Sequence, residues 1–157
     1  MPTRTPAPRP TPTRPPSTNL ALNRPATGTA PCAASEGPAK AVNGSVTGGN
    51  SDKWCSLAST RWLQVDLGSA RSIASFIVRH AGAGGEAASY NTRAFNLQVS
   101  SNGSSWTTVA TAANNTQNVT AHAIAARTAR YVRLNVTQPT QTTDSAARIY
   151  EVEVYGP

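Results

Sequence analysis

The 157-residue sequence predicts an all-β protein, an antiparallel β-sandwich or jelly roll of about eight strands. Two observations carry that expectation. From residue 60 onward, short runs alternate apolar and polar residues at the period of a half-buried strand. Glycine, asparagine and proline punctuate those runs at near-regular spacing, and helical periodicity is missing; even the Ala-rich "HAGAGGEAAS" is broken by glycine.

The strands follow in order. "RWLQVDL" (61–67) puts Leu63, Val65 and Leu67 on one face and Trp62, Gln64 and Asp66 on the other. "SIASFIVRH" (72–80) is apolar on both faces, as a central strand between two layers must be. "AFNLQVS" turns inward at Phe95, Leu97 and Val99; with "SNGSS" and "WTTVAT" it makes 94–111 a hairpin. "NVTAHAIA" (118–125) is a weaker strand, "ARYVRLNVT" (129–137) buries Val132, Leu134 and Val136, and "RIYEVEVYG" (148–156) closes the chain with Val152 and Val154 inside. Residues 20–55 wrap the end of the barrel as loops. Methionine and phenylalanine are scarce, so Trp54, Trp62 and Trp106 are read as packing residues.

Residues 1–18, "MPTRTPAPRPTPTRPPST", hold seven prolines, five threonines and three arginines, with no acidic residue. That composition predicts an extended, polyproline-like linker, followed by one folded module over 19–157. The chain carries a net charge of +7, but three arginines lie in the linker, leaving eleven basic against seven acidic residues in the module. Its arginines are scattered, which argues against a nucleic-acid partner. With no 18-residue apolar run, a membrane partner is not expected either. The linker suggests a monomeric C-terminal module of a larger secreted, extracellular protein. In that compartment Cys32 and Cys55, the chain's two cysteines, form a disulfide; in the cytosol they would be two buried thiols. Their spacing, without other Cys or flanking His, is a poor zinc pattern.

"KAVNGSVTGGNSDKWCS" (40–56) gathers Asn43, Ser45, Thr47, Asn50, Ser51 and Asp52 around three glycines. Such residues dominate ordinary turns. They also supply the oxygens that a hard cation takes from a flexible loop, although no EF-hand spacing is present. On spacing alone both readings stand.

Taken in order, "NLALNRPATGT", "KAVNGS…DKW", "RWLQVDLG", "FNLQVSSNGSSWTTV", "ARYVRLNV" and "IYEVEVYG" resemble the discoidin (coagulation-factor type C) family. Within it the sequence is most similar to bacterial carbohydrate-binding modules of family 32. The resemblance covers 19–156 and implies a galactose-binding-domain-like fold. It also implies a non-catalytic module that tethers a secreted glycoside hydrolase, its upstream catalytic domain, to a polysaccharide or glycan. A discoidin-type adhesion domain for a protein or cell-surface partner is the alternative.

Many members of the family hold a structural calcium ion in the loop just described. Carried onto this sequence, the resemblance implies Ca2+ ligated by the Lys40 carbonyl, the Asn43 amide oxygen, the Ser45 carbonyl, Asp52, the Tyr150 carbonyl and Glu151. Asn43 stands where the family has Asp, which removes one negative charge. Asp52 stands where Thr is frequent.

No GxSxG, HExxH or P-loop motif is present, and neither His80 nor His122 has a nucleophile motif beside it. Glu36, Asp52, Asp66, Glu86, Asp144, Glu151 and Glu153 are the acids from which a glycosidase pair could be drawn. The resemblance spends Asp52 and Glu151 on calcium, and catalysis is not expected. For sugar binding, "RHAGAGGEAASYNTR" (79–93) offers His80, Glu86, Tyr90, Asn91 and Arg93: charged and amide groups for hydroxyls and a ring for stacking. Galactose-binding relatives present a His, then Arg and Asn on later loops and an aromatic near the C-terminus. Here Asn91 precedes Arg93 in one loop and "TQPTQTTDSAA" has no aromatic, so Tyr90 is the stacking candidate and gluco- or manno-sugars are equally compatible.

Overall fold

The structure, a computed structural model, describes residues 17–157, so the expected linker lies almost wholly outside it. Among the described residues seven antiparallel strands form: β1 (Ala26–Gly28), β2 (Trp54–Ser56), β3 (Arg61–His80), β4 (Ala94–Ser100), β5 (Thr107–Ala112), β6 (Val119–Gln138) and β7 (Ala147–Tyr155). Short 3-10 turns occupy Pro38–Val42, Gly49–Asp52, Ala81–Gly84 and Ala88–Tyr90, with another at Ala34–Glu36.

Two pairs of expected strands are continuous. Runs 61–67 and 72–80 are both β3, and 118–125 and 129–137 are both parts of β6. The reason lies in their pairing. β3 and β6 are antiparallel over nearly their whole length, and the register slips between Asp66 and Arg71, where Gly68 adopts φ +87. A slip of this kind bends two paired strands together without ending either. The turn-like residues 68–70 therefore make a corner.

That corner produces two layers. The first half of β3 pairs with β1 and with the second half of β6, which pairs on to β4 and β5. The second half of β3 pairs with β7, and β7 with β2. Side chains alternate along each strand, so Leu63, Val65, Leu97, Val132 and Leu134 of one layer meet Phe76, Val78, Val152 and Val154 of the other in one core. β7 differs from a half-exposed strand: Ile149, Tyr150, Glu151, Val152, Glu153 and Val154 are all buried. Loops reach both its faces, Glu86 at Tyr150 and Gly44 at Glu151, and residues 19–20 close its edge. Leu20 donates its N–H to the Val154 carbonyl at 2.7 Å, and the Val154 N–H is received by Asn19 Oδ1 at 3.0 Å.

Trp54 is in the core, as a packing residue should be. Trp62 and Trp106 are half-exposed instead, and the Arg133 guanidinium lies 4.5 Å from one ring centroid and 4.1 Å from the other. This stack ties β3, β6 and the β4–β5 hairpin on the outer face.

Cys32 and Cys55 are joined, closing 23 residues of sequence. Closing a loop of this size is worth about 3 kcal/mol in the chain-entropy account. Replacing both cysteines by alanine should lower the free energy of unfolding by about that much. Denaturant titration at fixed m-value reads the change, and an unchanged midpoint would contradict it.

Candidate functional site

At the end of the sandwich where β2 and β7 begin, three loops meet around an open cleft of about 600 Å3. Its polar wall is Glu36, Lys53, Glu86, Asp144 and Arg148. The Lys53 ammonium is almost completely enclosed, and a buried charge persists only if it is paired. Glu86 supplies the pairing, with both carboxylate oxygens 3.1 Å from Nζ. The Tyr150 hydroxyl donates to Glu86 Oε2 at 2.9 Å, and Arg148 Nε lies 3.5 Å from Oε1. Burial and this acceptor push the Tyr150 phenol well above its usual range, so it stays a donor.

Arg148 also holds Asp144 through both terminal nitrogens at 3.1 Å. That contact keeps the Asp144 carboxyl below the ordinary carboxylate range. The guanidinium stacks on Tyr90, 4.1 Å from the ring centroid. Glu36 is the least committed member. Its nearest cation is Lys53, at 3.8 Å. The apolar side of the cleft is the Cys32–Cys55 pair and Leu57, which is 60% exposed.

The backbone that delivers Glu86 is shaped by close approach. A Cβ on Gly84 would fall 1.9 Å from the Tyr150 ring, so only glycine lets the 81–86 loop lie on that ring. Asn91 anchors the loop from inside: Oδ1 accepts from the Gly82 N–H at 2.8 Å, and Nδ2 donates to Asn118 Oδ1 at 2.9 Å. Gln141 Nε2 donates to the Asn91 carbonyl at 3.0 Å, joining the 139–146 loop to it.

On the other face of β7 lies the 43–52 loop. Asn43 Nδ2 donates to Asp52 Oδ1 at 2.9 Å, while the Ser45 hydroxyl and the Gly48 N–H both donate to Asp52 Oδ2. These donors lower the Asp52 pKa. Gly44, at φ +79, turns its N–H to Glu151 Oε2 at 3.0 Å, across 107 residues of sequence. Glu151 is 2% exposed, and its Oε1 has no partner. Burial pushes its carboxyl up to about 7. Glu151 thus offers a buried, unpartnered carboxylate oxygen beside the glycine-rich loop that carries the Asp52 carboxylate, and carboxylate oxygens gathered at such a loop suit a hard cation.

The F5/8 type C domain family model matches residues 25–152. The chain belongs to the F5/8 type C domain family. Among solved structures this F5/8 type C domain is similar to family 32 carbohydrate-binding modules. The module of Streptococcus pneumoniae EndoD is 28% identical, with a TM-score of 0.77, over 89% of this chain and 100% of that one. Chitosan-binding module 2 of a chitosanase/glucanase from Paenibacillus sp. IK-5, solved with chitotriose, is 29% identical with a TM-score of 0.71, over 88% and 100%. A Clostridium perfringens module in complex with GalNAc-β-1,3-galactose shares the fold at 17% identity, TM-score 0.73, over 88% and 100%. A search of curated protein sequences returned no match.

Within the F5/8 type C domain, the five residues expected to hold sugar do not gather. Glu86 faces the cleft, and Tyr90 sits behind it under Arg148. His80 and Asn91 are fully buried and build the loop, out of a ligand's reach. Arg93 turns to another loop, where Nη2 donates to Asn114 Oδ1 at 3.3 Å. Of the six expected calcium residues, Asn43, Ser45 and Asp52 are joined by hydrogen bonds and Glu151 reaches the same loop at Gly44; Lys40 lies on the Pro38–Val42 turn before that loop, and Tyr150 precedes Glu151 on β7 with its side chain turned to Glu86. The sequence reading passed over Glu36, Lys53, Asp144 and Arg148 as cleft residues. None carried a usable signal: alternation sets a lysine directly before a core tryptophan on the outer face, and only tertiary packing encloses Lys53.

His80 is an interior group: Nε2 is 3.0 Å from Thr120 Oγ1, and the ring packs on Phe95 at 5.3 Å between centroids. Burial pushes its pKa down to about 4, with a smaller contribution from His122. The unfolded chain takes up this proton near pH 6.5 while the folded domain refuses it until about pH 4. Stability is therefore full above pH 6.5 and is lost as the pH falls towards 4. The loss reaches about 3 kcal/mol relative to a His80→Gln variant. Parallel acid limbs for the two proteins in denaturant titrations at several pH values would contradict this.

Proposed function

We propose that this domain is a non-catalytic carbohydrate-binding module and that its ligand, a glycan containing amino sugars, lies in the Glu36–Lys53–Glu86–Asp144–Arg148 cleft. The observation that carries the reading is the convergence of these groups, with Leu57, at one open cleft of a family 32-like fold. Sugars are recognised by fixed polar groups beside an apolar surface, and the cleft offers both. Three of the chain's seven carboxylates line it against two of its fourteen basic side chains, leaving a local negative charge on a basic molecule. That sign suits protonated glucosamine. The chitosan-binding module at 29% identity supports the same class.

The cleft carboxylates are engaged by Lys53, Arg148 or both, an arrangement for holding a ligand more than for passing protons. The function is then tethering. Linked through 1–18 to a secreted hydrolase, the module raises the enzyme's effective concentration at its polysaccharide. Binding through an open cleft is weak, with Kd on the order of 0.1–1 mM. Calorimetric titration with glucosamine, N-acetylglucosamine and glucose oligomers tests the reading. Glucosamine oligomers should bind best, and Glu36→Gln should weaken them roughly fivefold, the worth of one solvent-shared charged hydrogen bond. Equal binding of all three series, or none, would overturn it.

Calcium belongs to the same proposal as a structural ion. The residues that would hold it are Asn43, Ser45, Asp52 and Glu151, with the Lys40 and Tyr150 carbonyls. The ion would supply the positive charge that the unpartnered Glu151 oxygen lacks, and it would tie the 43–52 loop to β7. Chelation should lower Tm by several degrees. Glu151→Gln should shrink that difference, and Asn43→Asp should enlarge it. Identical melting curves in chelator and in calcium would remove the ion from the account.

A further inference from the structure

We propose that the Cys32–Cys55 disulfide is itself a working wall of the glycan cleft, holding the Glu36 carboxylate in place and presenting sulfur to the ligand. The inference rests on the reading of this cleft as the glycan site. Both cysteines line the cleft, and a Glu36 carboxylate oxygen lies within 4.8 Å of both sulfur atoms. With both thiols consumed in the disulfide, these three residues are not a metal-binding set.

What the disulfide adds beyond stapling follows from the hydrogen bonds on either side of it. Before Cys32, the chain is already fastened to β2. Cys32 N–H donates to the Cys55 carbonyl at 2.9 Å, Pro31 bridges to Ser56, and Ser56 Oγ donates to the Ala30 carbonyl at 2.8 Å. After Cys32 the fastening thins. Among the described residues, 33–36 are held by the Glu36 N–H to Ala33 carbonyl bond of their own turn, by packing on the Gly49–Asp52 turn, and by the 3.8 Å contact between Glu36 and Lys53. Opening the disulfide would leave the strand pairing intact and release this turn. Glu36 is the cleft carboxylate with the most unused acceptor capacity, so its placement sets what the cleft can read. The disulfide and the exposed Leu57 also form the apolar part of the lining, beside Glu36, a surface on which the apolar face of a pyranose ring can rest.

The test uses a glucosamine trimer and isotope-labelled protein. In the oxidised protein, saturating trimer should shift the amide signals of Cys32 and Cys55 and the methyls of Leu57 together with those of Glu36 and Glu86. After reduction with dithiothreitol, in protein whose spectrum shows the sandwich intact, affinity should fall about tenfold, roughly fivefold from the Glu36 contact and the rest from the apolar wall. Glu36→Gln, which weakens the oxidised protein, should then add nothing. A purely structural staple would leave that coupling untouched. Cysteine signals unmoved at saturation overturn the proposal even if the reduced protein unfolds. So does unchanged affinity in folded, reduced protein. Absence of any trimer binding to the oxidised protein, or shifts confined to another face, defeats the glycan reading itself.

Discussion

The Lys53 ammonium, enclosed at the edge of the core, is the constraint on which the site depends. A desolvated cation left alone would cost several kcal/mol, so its carboxylate must come to it. Glu86 comes from a loop after β3, and it is itself completed by Tyr150 and Arg148 from β7. One buried charge thus fixes three segments that are distant in sequence. The cleft is the space left between them.

The alternation of a strand then couples this cleft to the oxygen-rich loop. Tyr150 and Glu151 are neighbours on β7, so their side chains point to opposite faces. Tyr150 reaches Glu86 in the cleft, and Glu151 reaches Gly44 in the loop. The same adjacency recurs at Asp52 and Lys53, where the loop's carboxylate is followed directly by the cleft's ammonium.

The fold was legible because period-2 alternation survives in single residues such as Leu63, Val65, Leu97, Leu134 and Val152, all buried as expected. Strand continuity was not, because Gly68 reads as a turn whether the chain reverses or bends there. The 43–52 cluster was legible because its members are close in sequence. The cleft was not, since Glu36, Lys53, Glu86 and Arg148 meet only through tertiary packing. The loop at 79–93 misled in a specific way. His80 and Asn91 have the chemistry to grip a sugar, but they spend it inward, on Thr120 and on the loop's own backbone. Residue type shows what a side chain can do, and the direction it points depends on neighbours far away in sequence.

The central claim is that a glycan seats against the Lys53–Glu86–Arg148 network with Glu36 as its free acceptor. A crystal structure with a bound glucosamine oligomer tests it most directly. The account predicts a pyranose in the cleft, a ligand nitrogen or hydroxyl within hydrogen-bond distance of Glu36, and Lys53 still paired with Glu86. An oligomer seated on another face, with the cleft holding only solvent, would contradict it.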